Sequence, residues 1–93
     1  MSQLTPSSIH KITRDIPKAS EVWQHFKGDW YRIQTIAKHT ETDELLVIYQ
    51  CIKTQDTKKL GIDYARPLTM FLSEVDHEKY PDLTEHYRFK RLF

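Results

Sequence analysis

Two segments with alternating apolar and polar residues, 30–39 and 44–52, are joined by a short polar loop and constrain the fold more than any other part of the sequence. Successive side chains of a β-strand point to opposite faces, so this alternation predicts an antiparallel hairpin. One face of each predicted strand is suited to a shared core. These faces carry Tyr31, Ile33, Thr35 and Ala37 in the first strand, and Leu45, Val47, Tyr49 and Cys51 in the second.

The register of this hairpin follows if both sets line the same core. The two residue numbers of each directly opposed pair then add up to an even number, and the loop holds an odd number of residues. A three-residue loop at 40–42 satisfies this condition and places Thr35 opposite Val47. It also places Lys38 opposite Glu44, a charge pair that contributes ~0.2–1 kcal/mol. A slip by one residue would turn one apolar set away from the core.

The other face of the predicted hairpin is too apolar to be left in water. It carries Trp30, Ile36, Leu46, Ile48 and Ile52. Three elements could cover this face: the N-terminal segment, another sheet of the same chain, or a second copy of the chain. Small barrels and sandwiches bury most strand faces internally, which favours covering by the chain itself.

The composition is that of a single small globular domain. The chain has 93 residues, 39% of them hydrophobic and 29% charged, with a formal net charge of +1. This balance argues against disorder and against a dedicated nucleic-acid binder. Two glycines exclude a Gly-rich phosphate loop, and one cysteine excludes an internal disulfide. No apolar run is long enough to span a membrane, and the first residues lack an apolar signal core, so we expect a cytoplasmic protein.

The remaining segments predict further short strands. Residues 22–27, 62–66 and 87–93 have strand-like patterns, and Gly28 is expected to supply a positive φ in the turn after the first. Residues 1–20 form an N-terminal extension, either a short helix between Pro6 and Pro17 or a partly ordered tail. Residues 21–93 are therefore expected to be one mainly-β domain, a small barrel or roll of five to six short antiparallel strands.

Several short motifs, taken in order, resemble a known family. They are His25-Phe26-Lys27-Gly28, Tyr31, Ala37-Lys38-His39-Thr40-Glu41-Thr42, Glu44, Val47-Ile48-Tyr49, Arg66-Pro67-Leu68, Met70-Phe71 and Arg88-Phe89. Their order and spacing over about residues 23–90 resemble domain-of-unknown-function family 1653, a set of small bacterial proteins and domains. The resemblance implies an SH3-type β-barrel and no established reaction, cofactor or partner. Tyr64 departs from the family's usual Trp, and the segment 54–61 and the span before Arg88 are longer than usual.

Polar residues at the predicted strand ends form the candidate ligand site. They are His25, His39, Thr42, Glu44 and Arg66. Arginine makes planar two-point hydrogen bonds to carboxylate or phosphate, which makes Arg66 the first candidate. The structural alternatives are that His39 and Thr42 bond to loop amides, as turn residues do, and that Arg66 pairs internally with Glu44 or Glu74.

A second candidate surface lies in the last predicted strand. Tyr87, Arg88, Lys90 and Arg91 combine charge with aromatic rings, the combination that binds single-stranded nucleic acid. Phe89 in the same strand is better suited to the core. The five histidines are scattered, without the spacing of a metal site, and Cys51 is predicted to point inward. The sequence therefore indicates no metal, no cofactor and no catalytic residue.

The function that these features favour is a non-enzymatic binding module with a ligand site at one rim of the barrel. Its ligand could be RNA, a peptide or a small anion. One alternative is a small hydrolytic or transfer enzyme, with His39 as general base and Arg66 holding an anionic group. The other is a homodimer formed through a face containing Ile36, Leu46 and Ile48.

Overall fold

The computed structural model describes residues 14–93. In chain order they form the strands β1 (Val22–His25), β2 (Trp30–Lys38) and β3 (Leu45–Lys53), a 3-10 turn (Thr57–Lys59), strand β4 (Asp63–Pro67), helix α1 (Leu68–Phe71) and strand β5 (Phe89–Arg91). The predicted strands are all present, and the last is shorter than expected. Gly28 has a φ of +114°, as its position in the turn required. The helix predicted between Pro6 and Pro17 falls mainly outside the described residues.

The five strands form one antiparallel sheet in the order β4-β3-β2-β1-β5. This confirms the mainly-β fold of five antiparallel strands. Within residues 14–93 the two edge strands do not pair with each other, so the sheet is an open roll rather than a closed barrel. The roll is nevertheless tight, because the guanidinium carbon of Arg66 in β4 lies 5.6 Å from the centre of the Phe89 ring in β5.

The predicted register of β2 and β3 is correct for one half of the hairpin and wrong for the other. Tyr31 pairs with Cys51 and Ile33 with Tyr49, as the even sum requires. Beyond an irregularity at Gln34, Thr35 lies opposite Ile48 and Lys38 opposite Leu45. A β-bulge adds one residue to one strand and reverses the direction of the side chains that follow.

This bulge has a clear benefit for the core. Without it, Thr35 and Ala37 would point inward and Ile36 outward. In the structure Thr35 is exposed, and Ile36 packs against the buried core. The prediction that Ile36 belongs to the outer face is therefore wrong, and a dimer face built on Ile36, Leu46 and Ile48 loses its first member. Leu46 and Ile48 remain half-buried on the outer side.

The concave side of the roll holds an aromatic core. The rings of Phe71 and Phe89 stack at 4.0 Å between centres, with an angle of 9° between their planes. Trp23, Tyr31 and Tyr49 surround them, and all five side chains are buried. Helix α1 begins directly after Pro67 and delivers Phe71 to this stack. Large aromatic side chains bury ~150–250 Å² each, so this cluster accounts for much of the stability of a small domain.

The segment before β1 is anchored to the same core. The guanidinium of Arg14 lies 3.8 Å from the centre of the Tyr87 ring and donates hydrogen bonds to the carbonyls of Leu72 and Phe89. Pro17 is fully buried. Residues 14–20 contain no helix and connect to the sheet by a bond from the Ser20 amide to the Ile33 carbonyl. In the described part of the chain, no helix has the length and apolar character needed to cross a membrane.

Candidate functional site

A groove lies on the concave side of the roll, where the β1–β2 turn faces β4 and the residues around β5. It has two adjoining lobes that share His25, Lys27 and Arg66. The aromatic lobe, about 220 Å³, is completed by Asp29, Tyr31, Tyr49, Lys59, Tyr64 and Phe89. The cationic lobe, about 330 Å³, is completed by Phe26, Asp76, Lys79, Tyr80 and Arg88.

The last residue of β1, His25, stands between the two lobes. Its ring lies between the rings of Phe26 and Phe89, with centres at 4.4 and 4.9 Å. Its Nδ1 accepts a hydrogen bond from the amide of Lys27 at 3.1 Å, inside the turn that Gly28 makes possible. An acceptor nitrogen carries no proton, so in the neutral ring the proton is on Nε2. His25 can therefore donate a hydrogen bond to a ligand through Nε2.

The surroundings of His25 oppose a positive charge on its ring. Burial lowers the pKa of His25 to about 4, and the nearby charges of Arg66, Arg88 and Lys27 act in the same direction against a weaker effect of Asp29. The ring is therefore neutral at physiological pH. The three cations approach His25 from β4, from the residue before β5 and from the β1–β2 turn, so two distant arginines and one neighbouring lysine converge at the groove.

The side chain of Arg66 is fixed by one of its own donors. Its Nε donates to the hydroxyl of the buried Tyr49 at 3.0 Å, and the guanidinium lies against the Phe89 ring. The internal pairing with Glu44 or Glu74 considered from the sequence is not found among residues 14–93, where Glu74 instead lies 3.4 Å from His86. Because Nε holds the side chain in place, the terminal nitrogens of Arg66 can face the groove.

The floor of the aromatic lobe also contains one carboxylate, Asp29. Its Oδ2 lies 3.1 Å from the ammonium of Lys59 and 3.5 Å from the hydroxyl of Tyr31. Burial alone would raise the pKa of Asp29, but hydrogen bonds from Thr54 and Lys59 and the charge of Lys59 outweigh it and lower the pKa. Asp29 is therefore ionised at neutral pH, and burial raises the pKa of the neighbouring Tyr31 phenol, with a further contribution from the Asp29 charge.

The cationic lobe has the stronger charge. Its four cationic side chains, Lys27, Arg66, Lys79 and Arg88, face one carboxylate, Asp76. The Asp76 oxygen Oδ1 accepts hydrogen bonds from the amides of Glu78 and Lys79 at 3.0 and 3.3 Å. Over both lobes, five cations and two carboxylates give a formal charge of +3, although the whole chain carries only +1. The rest of the sequence therefore carries a formal charge of −2.

The structure brings together only part of the predicted ligand site. His25 and Arg66 line both lobes, whereas His39, Thr42 and Glu44 lie in the β2–β3 loop and line neither. In that loop His39 Nδ1 accepts from the Glu41 amide at 3.2 Å, and Thr42 Oγ1 accepts from the Glu44 amide at 3.3 Å. These are the local turn bonds considered as the structural alternative.

The second candidate surface is also divided. Arg88 lines the cationic lobe, and its Nε donates to Ser73 Oγ at 3.2 Å. Tyr87 packs against Arg14, while Lys90 lies 3.5 Å from Glu85 and Arg91 lies 3.3 Å from Glu21. Phe89 is a core residue, with 1% of its surface exposed. Within residues 14–93 no three His, Cys, Asp or Glu side chains converge as a metal site would require.

Sequence reasoning missed several groove residues. Lys27, Asp29, Lys59 and Tyr64 line the aromatic lobe but were not among the candidates. Lys27 and Asp29 flank Gly28, and only the turn at that glycine was predicted. The turn borders a strand end at His25, and this position was the one signal that could have placed both side chains near that histidine.

Comparison with known proteins places this fold in a family. A model of the DUF1653 family, described as a protein of unknown function, matches residues 21–91. The crystal structure of a protein belonging to DUF1653 from Bordetella bronchiseptica is 26% identical in sequence, with a TM-score of 0.61. The similarity covers 81% of this chain and 87% of that one.

No curated protein matches this chain. The matched residues include all five strands, α1 and every residue that lines the two lobes of the groove. The resemblance read from the sequence motifs is thereby confirmed over almost the same span. The chain belongs to the DUF1653 family of proteins of unknown function.

Proposed function

We propose that this chain is a non-enzymatic binding domain whose groove holds an anionic ligand through phosphate or carboxylate oxygens. The observation that carries the proposal is that Lys27, Arg66 and Arg88 line one lobe of the groove together with His25. Like charges held close together repel one another, and an oxyanion placed among them removes that cost. Charge-assisted hydrogen bonds from arginine to such oxygens are among the strongest polar contacts in proteins.

The chemistry of His25 supports binding over catalysis. An efficient general base has a pKa near the operating pH. The pKa of His25, about 4, makes its ring a poor base at neutral pH and leaves it as a fixed N–H donor. The enzyme alternative combined His39 with Arg66, but His39 lines neither lobe of the groove. A stable complex with the ligand is therefore the simpler role.

The same proposal includes the fold type and the cellular location. We regard the open roll as an SH3-type barrel whose edge strands β4 and β5 do not pair.

A free, buried Cys51 fits the reducing cytoplasm, where structural disulfides are rare. Recovery of the protein from the cytoplasmic fraction of its native cell would support this location, and recovery from another compartment would contradict it.

The test is a titration of the isotope-labelled chain with inorganic phosphate and pyrophosphate, followed by NMR at low and then moderate salt. We expect amide and side-chain shifts at His25, Lys27, Arg66 and Arg88 that weaken as salt rises. Lys27→Gln and Arg88→Gln should each weaken pyrophosphate binding about tenfold, the usual effect of losing a charged hydrogen bond.

The matched control is Lys38→Gln, which removes an exposed cation at the other end of β2. It should leave pyrophosphate binding unchanged. Lys27 is also exposed, so its substitution tests the groove without disturbing the core. The proposal is contradicted if the labelled chain shows no shifts at low salt, or if Lys38→Gln weakens binding as much as Lys27→Gln does.

A further inference from the structure

The two lobes of the groove differ in chemistry, and this difference specifies the ligand further. The cationic lobe has an excess of positive charge. The aromatic lobe has four aromatic rings and one ionised carboxylate, Asp29, whose nearest cation, Lys59, is already bound to it. A ligand that fills both lobes therefore has an anionic part and a flat, uncharged part.

The Asp29 carboxylate determines which part enters which lobe. It repels an anion, so the anionic part belongs in the cationic lobe. Its side chain is 19% exposed. A carboxylate offers about four lone-pair sites. Lys59 and Tyr31 both donate to one of its two oxygens, Oδ2. The other lone pairs can accept a hydrogen bond from a base N–H of a ligand, a donor that neither a phenyl ring nor an aliphatic chain provides.

The aromatic lobe can also receive a flat ring. Tyr31, Tyr49 and Phe89 are buried and form its floor. The ring of Tyr64 is half-buried and stacks against Tyr49, with centres 5.8 Å apart and planes at 29°, so part of it stays accessible in the lobe that it lines. Base–aromatic stacking is tolerant of base identity because every base has a π-face.

We infer that the groove binds a nucleoside monophosphate unit, with its phosphate among Lys27, Arg66 and Arg88 and its base in the aromatic lobe against Tyr64 and Asp29. This inference rests on the proposed function and adds a base to the anion. His25 stands where the two lobes meet and donates from Nε2 to the sugar-phosphate. The lobes, about 220 and 330 Å³, suit one nucleotide.

The unit could come from a free nucleotide or from a single-stranded nucleic acid. Both sources present the same phosphate and base to the groove, and they differ in whether neighbouring units add contacts. A phosphorylated tyrosine peptide presents a ring and a phosphate too. Its ring carries no N–H donor for Asp29, so the structure favours the nucleotide.

The experiment measures binding of the full chain by calorimetry and NMR to four 5′-ribonucleoside monophosphates, with ribose 5-phosphate and inorganic phosphate as the probes that lack a base. We expect at least one nucleotide to bind about tenfold more tightly than ribose 5-phosphate, a gain typical of base stacking. That nucleotide should shift resonances of Asp29, Tyr31 and Tyr64, which ribose 5-phosphate should leave in place.

Two variants test the assigned contacts. Asp29→Asn should reduce the affinity for the nucleotide relative to ribose 5-phosphate. It should not weaken the binding of ribose 5-phosphate itself. Its matched control, Asp63→Asn, changes an exposed carboxylate of β4 that does not line the groove. Tyr64→Leu keeps an apolar side chain at a half-buried position. It should also remove most of the difference in affinity between the nucleotide and ribose 5-phosphate.

The possible outcomes are distinct. Equal affinity for nucleotides and ribose 5-phosphate would overturn the nucleotide inference and leave the anion site standing. No binding of any probe, inorganic phosphate included, would overturn both proposals. If a 5′-phosphorylated tetraribonucleotide binds more tightly than the mononucleotide, nucleic acid is the source. Equal affinity for the tetraribonucleotide and the mononucleotide identifies the free nucleotide as the source. Tight binding of phenyl phosphate, equal to that of the best nucleotide, would contradict the role of Asp29.

Discussion

The groove at the β1–β2 turn and the β2–β3 loop contain the same local motif in different surroundings. In each, a histidine Nδ1 accepts a hydrogen bond from the backbone amide two residues later, at 3.1 Å for His25 and 3.2 Å for His39. Each turn also contains a residue with positive φ, Gly28 in the first and Asp43 in the second. The two regions thus share this local bond, although the second turn is one residue longer.

What separates the two regions is the set of residues that arrives from elsewhere in the chain. Around His25 the fold places Phe89, Arg66 and Arg88 from distant parts of the chain, beside the neighbouring Phe26 and Lys27. His39 lies in a loop whose other residues are exposed and bond to one another. A histidine at a strand end is therefore weak support for a binding site. A convergence of remote charges on that histidine is much stronger support.

The largest expected effect is at the floor of the groove. Phe89 is 1% exposed and stacks on Phe71 at 4.0 Å. Phe89→Ala should lower the free energy of unfolding by about 3–5 kcal/mol, because it leaves a cavity in the aromatic core. Thr40→Ala, in the exposed β2–β3 loop, should change it by about 0.5 kcal/mol or less. Urea unfolding of both variants measures the difference, and a loss below about 1 kcal/mol for Phe89→Ala would show that the groove lacks a rigid floor.

A smaller effect comes from exchanging the two histidines for alanine. His39→Ala removes one hydrogen bond to a loop amide and should cost about 0.5–1.5 kcal/mol. His25→Ala removes the equivalent bond and also the ring packing between Phe26 and Phe89. It should cost about 1–3 kcal/mol. Equal losses in chemical denaturation would mean that the tertiary surroundings of His25 add nothing to its local bond.

The smallest expected effect is a dependence of stability on pH. The pKa of His25 is about 4 in the folded chain, below the ordinary value of 6.5. Between these two values the unfolded chain binds a proton that the folded chain does not. The free energy of unfolding should therefore rise with pH across this window and fall as the solution is acidified. Because the ring is partly exposed, solvent screening keeps the slope small.

Thermal unfolding at several pH values between 4 and 6.5 would measure this slope. His25→Gln should flatten it, while His39→Gln should retain it. Carboxylates such as Asp29 have unfolded-state pKa values of about 4 and act mainly at the acidic end of the window. A slope that survives His25→Gln unchanged would show that the depressed pKa of His25 has no energetic consequence.

Much of the fold was accessible from the sequence because it depends on neighbours along the chain. Alternation located the strands β2 and β3 to within a residue at each end. The turn preceding Asp29 was recognised from Gly28, whose positive φ most other residues avoid. The loop bonds of His39 and Thr42 were also predictable, since both partners lie within two residues. Such features need no knowledge of the distant chain.

The bulge at Gln34 could not be predicted by the same reasoning. Strict alternation assigns Thr35 to the core and Ile36 to the solvent side. The core gains more from Ile36, and the sheet accommodates the exchange by an irregularity in the register. That choice depends on the space left between β2 and the rest of the core. Local pattern carries no information about that space.

The sequence by itself determined the class of the fold, its main strands and the turns that hold its histidines. Only the tertiary structure decided which of these histidines lines the groove. Lys27, Arg66 and Arg88 come from three separate parts of the chain. They meet because the strand order β4-β3-β2-β1-β5 rolls until β4 approaches β5. Electrostatic interactions depend on distance in space rather than along the chain, so the charge around His25 appears only when the sheet has rolled.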